Sequence, residues 1–391
     1  MWGMGAIEPK VSFIVLCYKL SHFLGACVNS ILAQTYGDFE VLIMDDCSPD
    51  NTPEVAKQFK DSRVIHIRNE TNLGFVPNFN KGVELSQGSY VWAISADDCL
   101  RSRSVLQRYV ELLDKNPQVG FVFCPAMSLI EGKERGVDNW SAWPGSRDRI
   151  LGGHEVVRRS AYTCAACAPA ILARKECYLR AGNFPSNLTR CIDYYLWALF
   201  ATMYDVGYFA EPMVYYRGHA TNMEKTASQE QPLSFYDEEL RVHWMIKKEA
   251  EKAGIRDVSS DFRRGLADAY TRRLVAREVK NWQYVPTWDA VSKEVRDNAS
   301  NEEEAEEILR LIRIGWPSAL ATGHAWHGAD YYQAGEYDRA IAEFRASLEL
   351  NPWAIKPRIY IGASRLEQMS GVRLFPLLKV LQKGLVSWWV R

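Results

Sequence analysis

The sequence predicts an α/β domain built on a parallel sheet, followed by an α-helical C-terminal domain. Three observations predict it. From residue 10 to about 125, short apolar runs alternate with amphipathic stretches. Two of those runs, Val41–Met44 and Tyr90–Ser95, stop at or just before a pair of acids, Asp45-Asp46 and Asp97-Asp98. Beyond about residue 232 the chain turns helical and rich in charge.

Taken in order, Val11–Cys17, Glu40–Met44, Arg63–Ile67, Tyr90–Ser95 and Gly120–Cys124 read as buried strands. His22–Gln34, Pro53–Lys60, Asn78–Ser86 and Ser102–Asn116 read as the helices between them. Such alternation implies a parallel sheet with right-handed crossovers, whose ligands bind at the carboxyl ends of the strands. Two strands that deliver acids to that edge point to a nucleotide-and-metal site, although Asp also commonly ends strands and caps helices. Residues 125 to about 220 are less regular. They hold a Trp- and Gly-rich loop (139–153), a helix near Asp193–Met203 and a late strand near Met213–Tyr216.

Composition bounds the rest. The 391 residues suffice for two or three domains. Lys plus Arg number 47 against 48 Asp plus Glu, so no global charge points to nucleic acid. Nine scattered cysteines fit reduced thiols in a cytosolic protein better than a disulfide scaffold. Cys164-x-x-Cys167, with Cys177 and Cys191 beyond, has no second Cys-x-x-Cys pair, and buried filling is the better reading than zinc. The first ten residues lack the apolar core of a signal peptide, and no apolar run is long enough to span a bilayer.

The first 220 residues resemble the family-two glycosyltransferases of GT-A (Rossmann-like) fold. The resemblance runs in order through Val11–Tyr18, Asn29–Tyr36, Met44–Thr52, Asn72-Leu-Gly74 with Asn80 and Gly82, and Ser95–Asp98. It continues through Arg174, Gly182–Phe184, Ile192-Asp193 and Tyr216–His219. Four positions depart from the family pattern: Lys19 where Asn is usual, Phe79 where many members have Arg, and Ser95 and Ile192 in place of the first acid of their motifs. The last acid of each motif is kept.

The resemblance implies an inverting transferase using a UDP- or dTDP-linked sugar, a divalent cation (Mn2+ or Mg2+) and a glycan or lipid-linked saccharide acceptor. Asp98 is then the metal ligand, with His219 completing the site as ligand or phosphate contact; the plain alternative for His219 is a polar residue at a strand end. Asp97 contacts ribose or an ordered water, Asp46 accepts a pyrimidine imide N–H with Tyr18 packing nearby, and Asn80 belongs to the nucleotide loop. A carboxylate that accepts such a bond rejects bases lacking the donor. Asp193 is the expected general base, because an attacking hydroxyl must lose a proton. The alternative for Asp193 is an acid that merely complements a helix dipole. It opens a helix expected to be amphipathic, with Leu196, Leu199 and Phe200 as its stripe. Trp140, Trp143 and Tyr162 are candidate sugar-stacking surfaces, or ordinary core.

The expected domains are 1–231, with a nucleotide half at about 10–125 and an acceptor half at about 125–220, then a helical extension at 232–320 and a region at 321–391. In that last region Gly328, Tyr331, Gly335, Tyr337, Ala340, Phe344 and Pro352 fall at the spacing of a tetratricopeptide repeat, and Gly362 follows Gly328 by 34 residues. One repeat cannot bury its own face, so packing on neighbouring helices is expected beside a partner-binding groove. The acidic run Glu302–Glu307 reads as a solvated helix face. The tail 372–391 is apolar, basic and tryptophan-bearing. It fits either a helix that closes the repeat or a peripheral contact with the cytoplasmic face of the cell membrane. Two rival functions remain: a catalytically silent scaffold of the same fold, and a nucleotidyltransferase. The latter would want a Gly-rich loop after the first strand, where Cys17–Leu20 offers none.

Overall fold

The computed structural model describes residues 8–137, 143, 147–182, 185, 188, 191–219, 222, 232–280, 287–370 and 374. The chain forms two compact units, Met1–Phe262 and Arg263–Arg391. The first therefore extends past the expected boundary at 231. The reason is packing: Val242, Ile246, Ala250, Ile255, Val258 and Phe262 join the core of the sheet domain.

The first unit is a mixed sheet between two helical layers. Strands β1 (Val11–Cys17), β2 (Phe39–Asp45), β3 (Val64–Arg68) and β4 (Tyr90–Ser95) are mutually parallel. They are followed across the sheet by β10 (Ile171–Arg174), β6 (Val119–Phe123), β11 (Asp205–Tyr208) and β9 (Arg149–Leu151). The five strands expected from the sequence, β1, β2, β3, β4 and β6, run in one direction, and the sheet also holds two strands that do not. β10 lies antiparallel between β4 and β6, and β9 is antiparallel to β11. A second sheet has the order β5 (Cys99–Leu100), β12 (Val214–Gly218), β7 (Ala126–Ile130), β8 (Lys133–Val137).

β1 and β2 are buried at every position, because both faces of the sheet are covered. Phe13 and Val15 of β1 face one layer, with α1 (Ser21–Leu32) and α4 (Val105–Lys115). Ile14 and Leu16 face the other, with α3 (Phe75–Leu85) and α7 (Ile192–Ala201). Between α1 and α3 lies the short α2 (Thr52–Ala56). Through the first layer runs an aromatic stack, Phe13–Trp92–Tyr109–Phe209, with ring centroids 5.4, 5.1 and 5.4 Å apart. Each such ring contributes about 1.5–3 kcal/mol of burial.

Helix α7 corrects a second expectation. It is not amphipathic: every residue except Asp193 and Leu199 is buried, so the helix is core on nearly all sides. Helices α5 (Gly153–Arg159), α6 (Lys175–Ala181) and α8 (Pro232–Lys252) complete the unit, and α9 (Ser259–Lys280) begins in it. Tyr194 Oη, on α7, donates to the carbonyl of Ser160 (2.6 Å) and meets His243 Nε2 of α8 at 3.2 Å.

In the second unit, α10 (Trp288–Asn298) precedes α11 (Glu302–Ala334), a single 33-residue helix. It runs through the boundary expected at 320/321. Its acidic start is more than a solvated face. Asn301 Oδ1 accepts the Glu304 amide at 2.9 Å and Glu304 Oε2 accepts the Ser300 amide at 2.8 Å. That is a variant of the capping box, and it leaves Glu304 buried. Gly335 ends the helix in the left-handed region, φ +80°, as a C-terminal glycine does. α12 (Tyr337–Leu350) then turns back on α11, and α13 (Ile355–Ser370) follows. Tyr332, Ala340, Phe344, Tyr360 and Ala363 form the local core. Gly328 lets the ring of Phe344 approach so closely that a Cβ would sit 2.9 Å from it. The tail apart from Leu374 lies outside the described residues. Among the described residues no helix is long and apolar enough to cross a membrane.

Candidate active site

The parallel register brings the candidate residues to one edge. Cys17 pairs with Asp45, and Leu16 with Ser95, so β1, β2 and β4 end together. The chain steps from β1 outward to β2 and β3 and, on the other side, to β4. This reversal of strand order opens a crevice at their carboxyl ends.

Tyr18 leaves β1 exposed, with the Lys19 ammonium 5.0 Å from its ring centroid. Lys19 has φ +58° and donates its amide to Ser48 Oγ at 3.2 Å. Asn enters that left-handed region more readily than Lys, which is a backbone reason for the residue usual at this place. Cys47, after the first acid pair, has φ +55° as well. Strained backbone thus frames the crevice on two strands, at about 1–3 kcal/mol per residue.

The first acid pair divides its work. Asp45 is fully buried; it accepts the Ser48 amide (2.8 Å) and Arg68 Nη1 (2.6 Å), with His66 Nε2 at 3.2 Å. Asp46 is also buried. Its Oδ1 accepts Asn69 Nδ2 (2.9 Å) and the Leu73 amide (2.8 Å), and its Oδ2 accepts the Gly74 amide (2.9 Å). A carboxylate has about four acceptor positions, so one remains on Oδ2. Asp50, rather than Asp46, meets the start of α2, accepting the Thr52 amide (3.2 Å) and hydroxyl (2.6 Å).

Sequence reasoning missed the amides behind Asp46. Asn69 Nδ2 also donates to Asn78 Oδ1 (2.8 Å), and Asn78 Nδ2 donates to the Met44 carbonyl (3.1 Å). Lys81 Nζ donates to Asn69 Oδ1 at 2.7 Å. The available signal was two asparagines on either side of the Asn72–Gly74 turn. Asn80 is half-buried on α3, and Phe79 beside it is core, 5.9 Å from the Tyr178 ring.

The second acid pair meets the late strand. β12 pairs antiparallel with β5, the two-residue strand that follows Asp98. The Arg217 amide therefore donates to Asp98 Oδ1 (2.8 Å) and Arg217 Nε to the Asp97 carbonyl (2.6 Å). His219 Nε2 lies 2.9 Å from Asp97 Oδ2, and its ring stands 5.0 Å from Phe23. Asn222 braces this end: its Oδ1 accepts the His219 amide and its Nδ2 donates to the Arg217 carbonyl at 3.0 Å. Arg217 and Asn222 were not singled out from the sequence. Asp97, Asp98 and His219 are thus brought together.

Burial, then the neighbouring Asp97 charge, push the Asp98 carboxyl well above the usual carboxylate range, against the Arg217 amide and charge, which lower it. Asp97 Oδ1 is buried and has no hydrogen-bond partner among the described residues. Two adjacent buried carboxyls, one oxygen of them unpaired, are a hard-oxygen donor set that fits a divalent cation.

Asp193 lies at the start of α7, half-buried, with its Oδ1 accepting the Tyr194 amide at 2.8 Å. Arg174 is a brace. Its guanidinium donates to the carbonyls of Val119 (2.8 Å), Leu113 (2.7 Å) and Asn116 (3.2 Å). Trp143 is core, its Nε1 donating to the Ala165 carbonyl at 2.8 Å, so it offers no stacking surface. Tyr162 is exposed and donates to Asp261 at 2.9 Å; Trp140 lies outside the described residues. None of the nine cysteines forms a disulfide, and no group of three or more metal-binding side chains occurs among the described residues.

Known proteins resemble this chain in sequence and in fold. Residues 12–168 match the model of the glycosyl transferase family 2. An uncharacterized glycosyltransferase of Haemophilus influenzae is 28% identical over 186 residues, 47% of this chain and 59% of that protein. One from Nostoc is 25% identical over 337 residues, 84% of this chain and 96% of that protein. Among solved structures, S. aureus TarS 1–349 in complex with UDP superposes with a TM-score of 0.55 at 16% identity, covering 88% of this chain and 93% of that one. Residues 12–168 thus match the family-two glycosyltransferases, and the chain has a GT-A-like α/β domain followed by a helical C-terminal region.

Proposed function

We propose that the protein is an inverting glycosyltransferase that moves a sugar from a UDP- or dTDP-sugar to a hydroxyl of a glycan or lipid-linked saccharide. The observation that carries this reading is the pair Asp97-Asp98 at the crevice, met by His219 and Arg217, with a buried Asp97 oxygen unpaired among the described residues. TarS, which shares the fold, was crystallised with UDP and with UDP-GlcNAc, and this supports a uridine donor.

Asp98, with Asp97 and His219 beside it, would hold Mn2+ or Mg2+. A divalent cation bound there offsets the charge that develops on a departing diphosphate. Asp46 receives the imide N–H of the base on the acceptor position left on Oδ2, while its other bonds hold Leu73 and Gly74 in place. Tyr18 packs against the base and Asn80 contributes from α3. Asp193 takes the proton of the attacking hydroxyl. Displacement in line, with no enzyme nucleophile, inverts the anomeric centre. Division into a nucleotide half before about 125 and an acceptor half after it follows from the same assignment, on the cytoplasmic side of the membrane.

A screen of nucleotide sugars for metal-dependent thermal stabilisation tests the reading, because a bound ligand raises apparent stability by mass action. We expect stabilisation by UDP or dTDP sugars only with a divalent cation. Stabilisation by purine nucleotides alone, or by none, would reject it.

A further inference from the structure

Helix α13 presents an outer face of exposed apolar side chains. Ile355, Ile359, Leu366 and Met369 recur at helical spacing and are all exposed, Met369 to 86%. Gly362 lies in the same stripe with open space around it. Trp353, just before the helix, is 89% exposed. The helix's core contacts are on its other side, through Tyr360, Ala363 and Glu367. A contiguous apolar stripe led by an exposed Trp marks an interaction surface.

Charge says what the surface fits. Lys356, Arg358 and Arg365 lie among the apolar residues and are exposed. The single acid of α13, Glu367, is buried and accepts the hydroxyls of Tyr332 and Tyr337. The charges that α13 itself exposes are therefore all cationic, beside the apolar stripe, in a chain whose net charge is −1. The residues after it continue the bias, with Arg373, Lys379, Lys383 and Arg391 and no acid. Amphipathic helices that lie in the headgroup layer combine these same elements: an apolar face, flanking cations and Trp at headgroup depth.

We propose that the outer face of α13, led by Trp353, docks the protein on an anionic bilayer surface. The apolar stripe enters the headgroup boundary, and Lys356, Arg358 and Arg365 meet lipid phosphates. The surface shares no residue with the crevice, and the proposal stands whatever the donor sugar.

Flotation of the full chain with vesicles tests it, comparing phosphatidylglycerol–phosphatidylcholine mixtures with phosphatidylcholine alone. Two variants keep the fold, since only exposed side chains change: Lys356→Gln with Arg365→Gln, and Ile359→Ser with Leu366→Ser. Circular dichroism checks that both retain their helix. The parent protein should float with the anionic vesicles, less so in high salt, and only weakly with the neutral ones. At about fivefold per cation near an anionic surface, the charge variant should lose roughly twenty-five-fold in partitioning. The apolar variant should lose at least roughly tenfold. Equal flotation with neutral vesicles, or variants that float like the parent, would overturn the proposal. So would a dimer in the absence of lipid that the apolar variant disperses, which would assign the face to a second copy of the chain.

Discussion

Asp46→Asn separates the two jobs assigned to this carboxylate. The change is nearly isosteric, but it replaces one acceptor oxygen with a donor. If the amide oxygen keeps the place of Oδ1, it still accepts Asn69 and Leu73, and the new NH2 then faces the Gly74 amide, donor against donor. One charge-assisted bond is lost and one amide is left unpaired at a buried site, at a cost of about 2–4 kcal/mol. In a unit of this size that lowers the melting temperature by about 5–15 °C. The same NH2 would meet the imide N–H of uracil, so UDP affinity should fall roughly a hundredfold. CDP, whose ring nitrogen at that position accepts, should lose less or gain. Calorimetric titration with UDP and CDP, beside thermal unfolding, reads both effects. A lowered melting temperature with an unchanged UDP-to-CDP ratio would refute base reading and leave Asp46 as a brace for the loop. Unchanged stability would refute the bracing as well.

Asp98→Ala should abolish transfer and weaken divalent-dependent nucleotide binding; near-normal turnover that still requires metal would mean the cation lies elsewhere. Asp193→Asn should keep donor binding but lower turnover by about two to four orders of magnitude. A collapse of donor affinity with turnover preserved would make Asp193 a binding residue. Two glycines of the second unit should respond in opposite directions. Gly362→Ala meets nothing within 4 Å and should stabilise α13 by about 1 kcal/mol through helix propensity. Gly328→Ala would press on the buried ring of Phe344, and overpacking of about 1–3 kcal/mol should outweigh that gain. Unfolding midpoints of the two variants, compared with the parent, check the sign of each.

What the amino-acid sequence determined by itself was local and periodic. The runs at Val11, Val41 and Tyr90 are apolar without alternation, which requires cover on both faces, and β1, β2 and β4 lie where those runs predicted. Their parallel pairing sends Asp46 and Asp97 off one edge. Tertiary structure decided the rest, because side-chain period reports burial and not partner. The four residues of β10 carry no mark of direction, yet their antiparallel insertion makes the sheet mixed. Helix α7 looked one-sided only because aromatic residues such as Tyr194 and Tyr195 can face either core or solvent, and here they are buried. Above all, Arg217 and His219 reach Asp97 and Asp98 across more than a hundred residues, through the pairing of β12 with a two-residue strand too short to be read from the chain. The pairing places a backbone amide on Asp98 and an imidazole on Asp97 while one buried oxygen has no donor among the described residues, and that balance of satisfied and unsatisfied groups exists only in three dimensions.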